Sequence, residues 1–169
     1  SIVSQPTNIT GSVSIGSVSY SSGTFTADAT YTHDDSQTTS DSFTYKANDG
    51  ADDSNTATAT ITITAVDDAP TVSNAIADQT VNEDASNTTI DLSSVFTDVD
   101  NDDSSISKAV QANTNTGLVS ATISGGNTLT LDYQDDQFGS ANITIRATSN
   151  GETVDDVFTV TVLPMNEVP

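Results

Sequence analysis

The chain is organised around one stretch, Ala59-Thr60-Ile61-Thr62-Ile63-Thr64-Ala65-Val66-Asp67-Asp68-Ala69-Pro70. Its first six residues alternate between a small or apolar side chain and threonine, which predicts a strand with one buried face. The β-branched residues in this run favour the same conformation. Proline fixes its own φ and pushes the preceding residue toward extended backbone, so the strand is expected to end in a stiff exit. The stretch therefore predicts a boundary between two domains.

A second copy of this stretch closes the chain, running from Val160-Thr161-Val162 to Asn166-Glu167-Val168-Pro169. Val160 follows Ile61 by 99 positions, and Ile145 follows Tyr45 by 100. A nearly constant offset is the signature of an internal repeat. We therefore predict two domains, residues 1–68 and 69–169. The same alignment places residue 1 opposite about residue 107, so the first domain is expected to begin within a repeat and to lack its opening strands.

Both predicted domains consist of short runs rich in Thr, Val and Ile, separated by Gly, Asn and Asp. About seven such runs between residues 71 and 163 are typical of a β-sandwich. Asn48-Asp49-Gly50 and Asn150-Gly151 are the strongest hairpin signals. No window shows helical periodicity. The predicted fold class is all-β, with two tandem Greek-key β-sandwiches of which the first is incomplete at its N-terminus.

Composition restricts the function. There are 24 acidic residues against three basic ones, giving a formal net charge of −21. Phosphate binding needs clustered Lys or Arg, so we exclude nucleic acid as a partner. No cysteine is present, which rules out disulfides and thiol chemistry. No apolar stretch approaches the length of a membrane span. The acidic balance points to cations or to solubility in salty surroundings.

The strongest metal signal is Asp98-Val99-Asp100-Asn101-Asp102-Asp103, with four aspartates in six positions. Unit charges 4 Å apart repel by about 1 kcal/mol in water and by about 4 kcal/mol at an effective dielectric of 20. Calcium favours such oxygen-rich loops. An EF-hand is excluded, because its sixth position would be Asp103 rather than Gly and its twelfth Ala109 rather than Glu. We predict a Ca²⁺ site that includes Asp98 and Asp100.

Catalytic signals are weak. His33 is the single histidine and lies in a polar segment. Serine and threonine are abundant, but no nucleophile elbow or second base accompanies them. We expect the chain not to be an enzyme.

Two groups of residues carry a family resemblance. Asp41-Ser42-Phe43-Thr44-Tyr45-Lys46-Ala47-Asn48-Asp49-Gly50, followed by the 59–70 stretch, resembles the end of a bacterial cadherin-like repeat. Val81-Asn82-Glu83-Asp84 and Phe96-Thr97-Asp98-Val99-Asp100 resemble the dystroglycan-type cadherin-like group. The resemblance covers nearly the whole chain. It implies Ig-like or cadherin-like sandwiches, a partial one over 1–68 and a complete one over 69–169.

The resemblance also implies a Ca²⁺ cluster at each domain junction. Carried onto this chain, the ligands of the first junction are Asp67, Asp68, Asp98 and Asp100, with Asp34 or Asp35 as the upstream acids. Those of the second junction are Glu83, Asp135, Asp136, Asn166 and Glu167. Two departures predict a reduced first site, holding one ion. The first domain has no counterpart of Glu83, and Ser149 stands where the family pattern places a carboxylate.

These observations predict a calcium-binding structural or adhesive repeat of a large bacterial extracellular or cell-surface protein, with Ca²⁺ stiffening the interdomain junction and neighbouring repeats of the same chain as partners. An alternative is a Ca²⁺-dependent adhesion module that binds polysaccharide or a like domain. Carbohydrate sites usually show several aromatic platforms, and the face occupied by Tyr45 is left open by its alternation with Phe43. A third interpretation is acidic adaptation to salt without specific metal sites.

Overall fold

A computed structural model describes residues 1–166, and it is all-β except for one 3-10 turn at Asp103–Ser105, as the sequence predicts. Contacts divide the chain into two compact units, Ser1–Val66 (unit 1) and Asp67–Pro169 (unit 2). The division lies two residues before the predicted boundary, so the acidic pair Asp67-Asp68 belongs to unit 2. Within residues 1–166 there is no helix with the length and apolar character that a membrane crossing requires.

Unit 1 contains seven short strands. They are β1 (Ile2–Ser4), β2 (Ser14–Ile15), β3 (Ser19–Ser21), β4 (Thr24–Thr26), β5 (Ala29–Thr30), β6 (Ser40–Tyr45) and β7 (Ala57–Thr62). All pairing is antiparallel, in the order β1-β6-β7, with separate pairs β2-β5 and β3-β4. The alternating runs predicted as strands from the sequence do not include β1 and β5, which have three and two residues.

One buried carboxylate joins distant segments of unit 1. Asp41 is buried and accepts hydrogen bonds from the backbone N–H groups of Thr7, Asn8 and Ser42, at 3.2, 2.9 and 2.8 Å, and from the Tyr31 hydroxyl. Burial raises the pKa of Asp41, but these donors outweigh it and hold the pKa below its ordinary value. The buried carboxylate therefore ties the segment before β2 to strand β6.

Unit 2 contains nine strands. They are β8 (Thr71–Val72), β9 (Gln79–Asn82), β10 (Thr88–Asp91), β11 (Phe96–Thr97), β12 (Ser107–Asn113), β13 (Val119–Ser124), β14 (Thr128–Tyr133), β15 (Gly139–Ser149) and β16 (Glu152–Leu163). One sheet has the order β12-β15-β16-β9, with β9 parallel to β16, and the other has the order β10-β14-β13. This is the seven-strand arrangement of an Ig-like sandwich. The short pair β8-β11 lies outside these two sheets in the pairing.

The core of unit 2 comes from the inward-facing positions of both sheets and from residues in the segments that connect the strands. Its most deeply buried large side chains are Leu92, Phe96, Leu118, Val119, Leu129, Leu131, Ile143, Ile145, Phe158 and Val160. The predicted Asn150-Gly151 turn joins β15 to β16, and both residues have positive φ, 46° and 97°. Two successive positive φ values match the twist of a tight hairpin, which explains why glycine follows asparagine here.

A buried carboxylate also closes unit 2. Asp156 on β16 is 8% exposed and accepts a 2.7 Å hydrogen bond from the backbone N–H of Ile76, just before β9. Its neighbour Asp155 instead forms an exposed bidentate pair with Arg146, at 2.7 and 2.8 Å.

These two neighbours give a matched test of the fold. Asp156→Ala should lower the free energy of unfolding of unit 2 by about 1–3 kcal/mol, because the Ile76 N–H stays buried without an acceptor. Asp155→Ala, which removes an exposed ion pair, should cost much less. Urea unfolding of the full chain, followed at unit 2 residues by NMR, measures both. Equal losses for the two variants would contradict the structural role given to Asp156.

Candidate metal centre

The acidic loop 98–103 is folded by its own carboxylates. One oxygen of Asp98, Oδ1, accepts the backbone N–H groups of Asp100 and Asn101, at 2.9 and 3.0 Å. Asp103 accepts the backbone N–H of Asp98 at 2.9 Å, and Asp102 caps the 3-10 turn. Three of the four aspartates thus shape the loop, and Asp98 does so through Oδ1 alone, which leaves its Oδ2 and the Asp100 carboxylate as the candidates for a ligand.

The start of unit 2 is bonded to this loop. The backbone N–H of Asp68 donates to Asp100 Oδ2 at 2.6 Å. The side-chain amide of Asn101 donates to Asp67 Oδ1 at 2.9 Å and to Asp98 Oδ1 at 3.3 Å. The structure therefore brings together Asp67, Asp68, Asp98 and Asp100, the four unit 2 residues predicted for the first junction. It adds Asn101, an uncharged residue that a search for acidic clusters passes over.

The second oxygen of Asp98 is the unusual atom of the site. The residue is 9% exposed, and Oδ2 is buried without a hydrogen-bond partner. The Ser149 hydroxyl oxygen, in a residue 2% exposed, is in the same condition. The nearness of this hydroxyl to the carboxylate is the main cause that lowers the pKa of Asp98, against the effect of burial, although the contact lacks hydrogen-bond geometry. A buried carboxylate oxygen with no donor calls for a counter-charge.

The residues present fit a hard cation in their chemistry. Carboxylate, hydroxyl and amide oxygens are ligands that Ca²⁺ accepts, and the neighbourhood described contains neither histidine nor cysteine. As folded, however, no three Asp, Glu or His side chains within residues 1–166 converge closely enough to hold an ion. The Asn101 amide explains part of this, because its N–H₂ group lies between two carboxylates where a cation would interact with both.

Asp34 and Asp35, the predicted upstream acids, belong to a turn of unit 1. Asp34 Oδ1 accepts the backbone N–H of Ser36 at 3.1 Å and lies 3.7 Å from His33 Nε2. The Ser36 hydroxyl is the main cause that lowers the pKa of Asp34, and the backbone N–H of Ser36 adds a smaller lowering. Asp35 has a φ of 62°, in the left-handed region that Asp tolerates. Both residues therefore have local roles in shaping this turn.

Four of the five residues predicted for the second junction are described by the structure: Glu83, Asp135, Asp136 and Asn166. Glu83 is buried, and its Oε1 accepts the backbone N–H of Met165. The backbone N–H of Asp136 donates to Asp84 Oδ1 at 3.1 Å, so Asp84 lies beside this predicted group. The sequence signal for Asp84 was its position directly after Glu83. Asp135 and Asn166 are exposed, and Glu167 lies outside the described residues.

Comparison with known proteins identifies solved structures that are similar to this chain. No protein-family model matches the chain, and neither does any curated protein. An endo-fucoidan hydrolase from glycoside hydrolase family 107 is similar, with 14% identity and a TM-score of 0.44 over 97% of this chain. The titin domains Z1Z2 in complex with telethonin match over 98% of this chain and 83% of theirs, with 15% identity and a TM-score of 0.39. The chain spans 24% of the length of that hydrolase, so the likeness concerns a minor part of a much larger protein.

Proposed function

We propose that this chain is a non-catalytic, calcium-binding β-sandwich module of a large bacterial extracellular or cell-surface protein. The ion binds where residues 67–68 meet the loop 98–103, and neighbouring repeats of the same chain are its partners. The observation that carries the proposal is the buried Asp98 Oδ2, which lacks a hydrogen-bond donor and belongs to a network containing three further aspartates.

Charge supports a cation from solvent at this place. The three basic side chains of the chain bond elsewhere: Lys46 lies 3.9 Å from Asp53, Lys108 donates to Asn127, and Arg146 pairs with Asp155. The loop therefore has no basic side chain among its hydrogen-bonding partners. The lowered pKa of Asp98 keeps its carboxylate ionised at neutral pH, as a cation ligand must be.

Binding at this place would stiffen the connection between repeats. Asp67 follows directly on the last residue of unit 1, and its side chain accepts a hydrogen bond from the side-chain amide of Asn101 in the loop. A shared ion would replace that weak attachment, and the repulsion between carboxylates, with coordination bonds. Extracellular calcium-binding modules have dissociation constants of about 10⁻⁴ to 10⁻³ M. A site of this affinity responds to the millimolar calcium outside cells.

A binding module is the second candidate, favoured by one exposed aromatic pair. Tyr20 and Phe25 are 64% and 72% exposed on the β3-β4 hairpin, with ring centroids 4.7 Å apart. Their planes are inclined by 41°, so they form no flat platform for a sugar ring. A glycan array probed with the full chain, with and without Ca²⁺, separates the candidates: retention of a polysaccharide that is lost in Tyr20→Ala would favour the binding module.

Calcium should raise the melting temperature of unit 2. The stabilisation follows mass action, about 2.7 kcal/mol when free Ca²⁺ is a hundredfold above Kd. Asp98→Asn with Asp100→Asn should abolish it, because two charged ligands are lost with little change of shape. Thermal melts in Ca²⁺, in chelator and in NaCl of equal ionic strength measure the effect.

The matched control for this experiment removes two charges elsewhere. Asp28→Asn with Asp132→Asn changes two exposed aspartates outside the loop and should leave the calcium response intact. If sodium stabilises as much as calcium, or if the Asp98/Asp100 variant responds like the parent, the acids serve only for solubility and the proposal is wrong.

A substitution at Asn101 should change both the stability of unit 2 without calcium and the stability that unit 2 gains from calcium. Asn101→Asp replaces the bridging amide by a third carboxylate, so unit 2 should be less stable in chelator and should gain more from Ca²⁺ than the parent does. Calorimetric titration and melts measure this, with Asn87→Asp as a control that adds the same charge at an exposed position outside the loop. An unchanged calcium increment in Asn101→Asp would remove Asn101 from the site.

A further inference from the structure

Asn150-Gly151 is the one place in the sequence where glycine directly follows asparagine. The two residues form the whole turn between β15 and β16, because Ser149 pairs with Glu152 across it. Both turn residues are exposed. Apart from the chain neighbours of Gly151, no described atom lies within 4 Å of the position that a Cβ on Gly151 would occupy. The turn is therefore open to water.

An asparagine in this position can react with its own main chain. The backbone nitrogen of the next residue loses its proton and attacks the side-chain carbon Cγ, so that an N–Cγ bond forms. The bond from Cγ to Nδ2 breaks, and Nδ2 leaves with a proton as ammonia. Water then opens the resulting cyclic imide to aspartate or to isoaspartate. Glycine favours this reaction because it has no side chain to shield the attacking nitrogen.

Both reacting groups of the turn are free of hydrogen bonds. Among residues 1–166, neither the side-chain amide of Asn150 nor the backbone N–H of Gly151 has a hydrogen-bond partner. The Asn150 side chain can therefore rotate toward the nitrogen of Gly151 without breaking a hydrogen bond. That nitrogen can also lose its proton without giving up an acceptor.

The turn Asn48-Asp49-Gly50 of unit 1 has the opposite arrangement. The attacking group for Asp49 would be the backbone N–H of Gly50, and it donates to Asn48 Oδ1 at 2.8 Å. The carboxylate oxygen Oδ1 of Asp49 accepts the backbone N–H groups of Ala51 and Asp52, both at 2.9 Å. These bonds, that from Asp52 first, lower the pKa of Asp49 and keep it in the ionised form, which resists nucleophilic attack. Hydrogen bonds therefore protect this turn.

We propose that Asn150 is a self-modification site of the folded chain, converted to aspartate and isoaspartate with water as the co-reactant and ammonia as the leaving group. Either product adds one negative charge directly after Ser149, which is 2% exposed. Isoaspartate also carries the main chain through Cγ, which adds one carbon atom to a two-residue turn. The pairing of Ser149 with Glu152 is the contact that this longer turn disturbs first.

The test incubates the full chain at mildly alkaline pH in water enriched in heavy oxygen, with chelator so that calcium binding does not enter. Opening of the imide adds one oxygen from water, so peptide mass spectrometry should find heavy oxygen at position 150 in two products of equal mass. The rate should rise in proportion to hydroxide, because the attacking nitrogen must be deprotonated. Absence of the label at Asn150 overturns the proposal.

The same label tests the protection of Asp49, because its isomerisation also passes through an imide that water opens. An amide and a carboxylate differ in reactivity, so each site is compared with itself in urea, where both turns lose their hydrogen bonds. Folding should leave labelling at Asn150 close to its level in urea and should strongly reduce labelling at Asp49. Equal suppression at the two sites overturns the proposal.

A variant of the protected turn gives a matched control. Asn48→Ala removes the acceptor of the Gly50 N–H, so labelling at Asp49 should rise while labelling at Asn150 stays as in the parent. An unchanged Asp49 in this folded variant would contradict the protective role of the hydrogen bond. The comparison with urea uses the parent chain and remains decisive if the variant does not fold.

Discussion

The structure depends on hydrogen bonds from backbone N–H groups to carboxylates. With 24 acidic residues and three basic ones, ion pairs can neutralise few of the charges. The buried acids are instead solvated by the main chain: Asp41 receives three N–H groups in unit 1, and Asp156 receives the Ile76 N–H in unit 2. Such charge-assisted bonds are stronger than neutral ones, and those from Thr7, Asn8 and Ile76 join segments distant in sequence. The acidic composition is therefore part of how both units are closed.

Asp98 is a buried acid whose carboxylate is only partly satisfied by main-chain N–H groups. Asp98 uses Oδ1 for two N–H groups, while the Ser149 hydroxyl is its neighbour without hydrogen-bond geometry and Oδ2 has no partner. The pKa of Asp98 is lowered, first by the Ser149 hydroxyl, so its contribution to stability is present above the unfolded pKa and is lost as pH falls through the folded pKa. Protonation would thus weaken the loop and remove a cation ligand in the same acidic range. Acid sensitivity and calcium dependence would then be linked through one carboxylate.

The sequence predicts the repeated strands because a period of two and a constant offset survive without tertiary information, as Ile61 and Val160 show. It also predicts that Asp67, Asp98 and Asp100 belong together, through the likeness of their motifs. It does not predict Asn101 or Asp84, because their roles come from where a loop turns back on itself, which a linear pattern does not express. Strands β8 and β11 are missed for another reason: two residues carry no periodicity, and only their partners define them.

The two units share the register of one strand ladder but differ in their hydrophobic cores. The paired strands have the same register in both, so alternation and turn chemistry are sufficient to form the ladder. The dry core appears only where residues 71–106 supply β9, β10 and the side chains of Leu92 and Phe96. At the position of buried Ala141, unit 1 has Asp41, whose four donors already satisfy it. The same ladder position is therefore a hydrophobic core contact in unit 2 and a hydrogen-bonded carboxylate in unit 1, so the two units use one register with different interior chemistry.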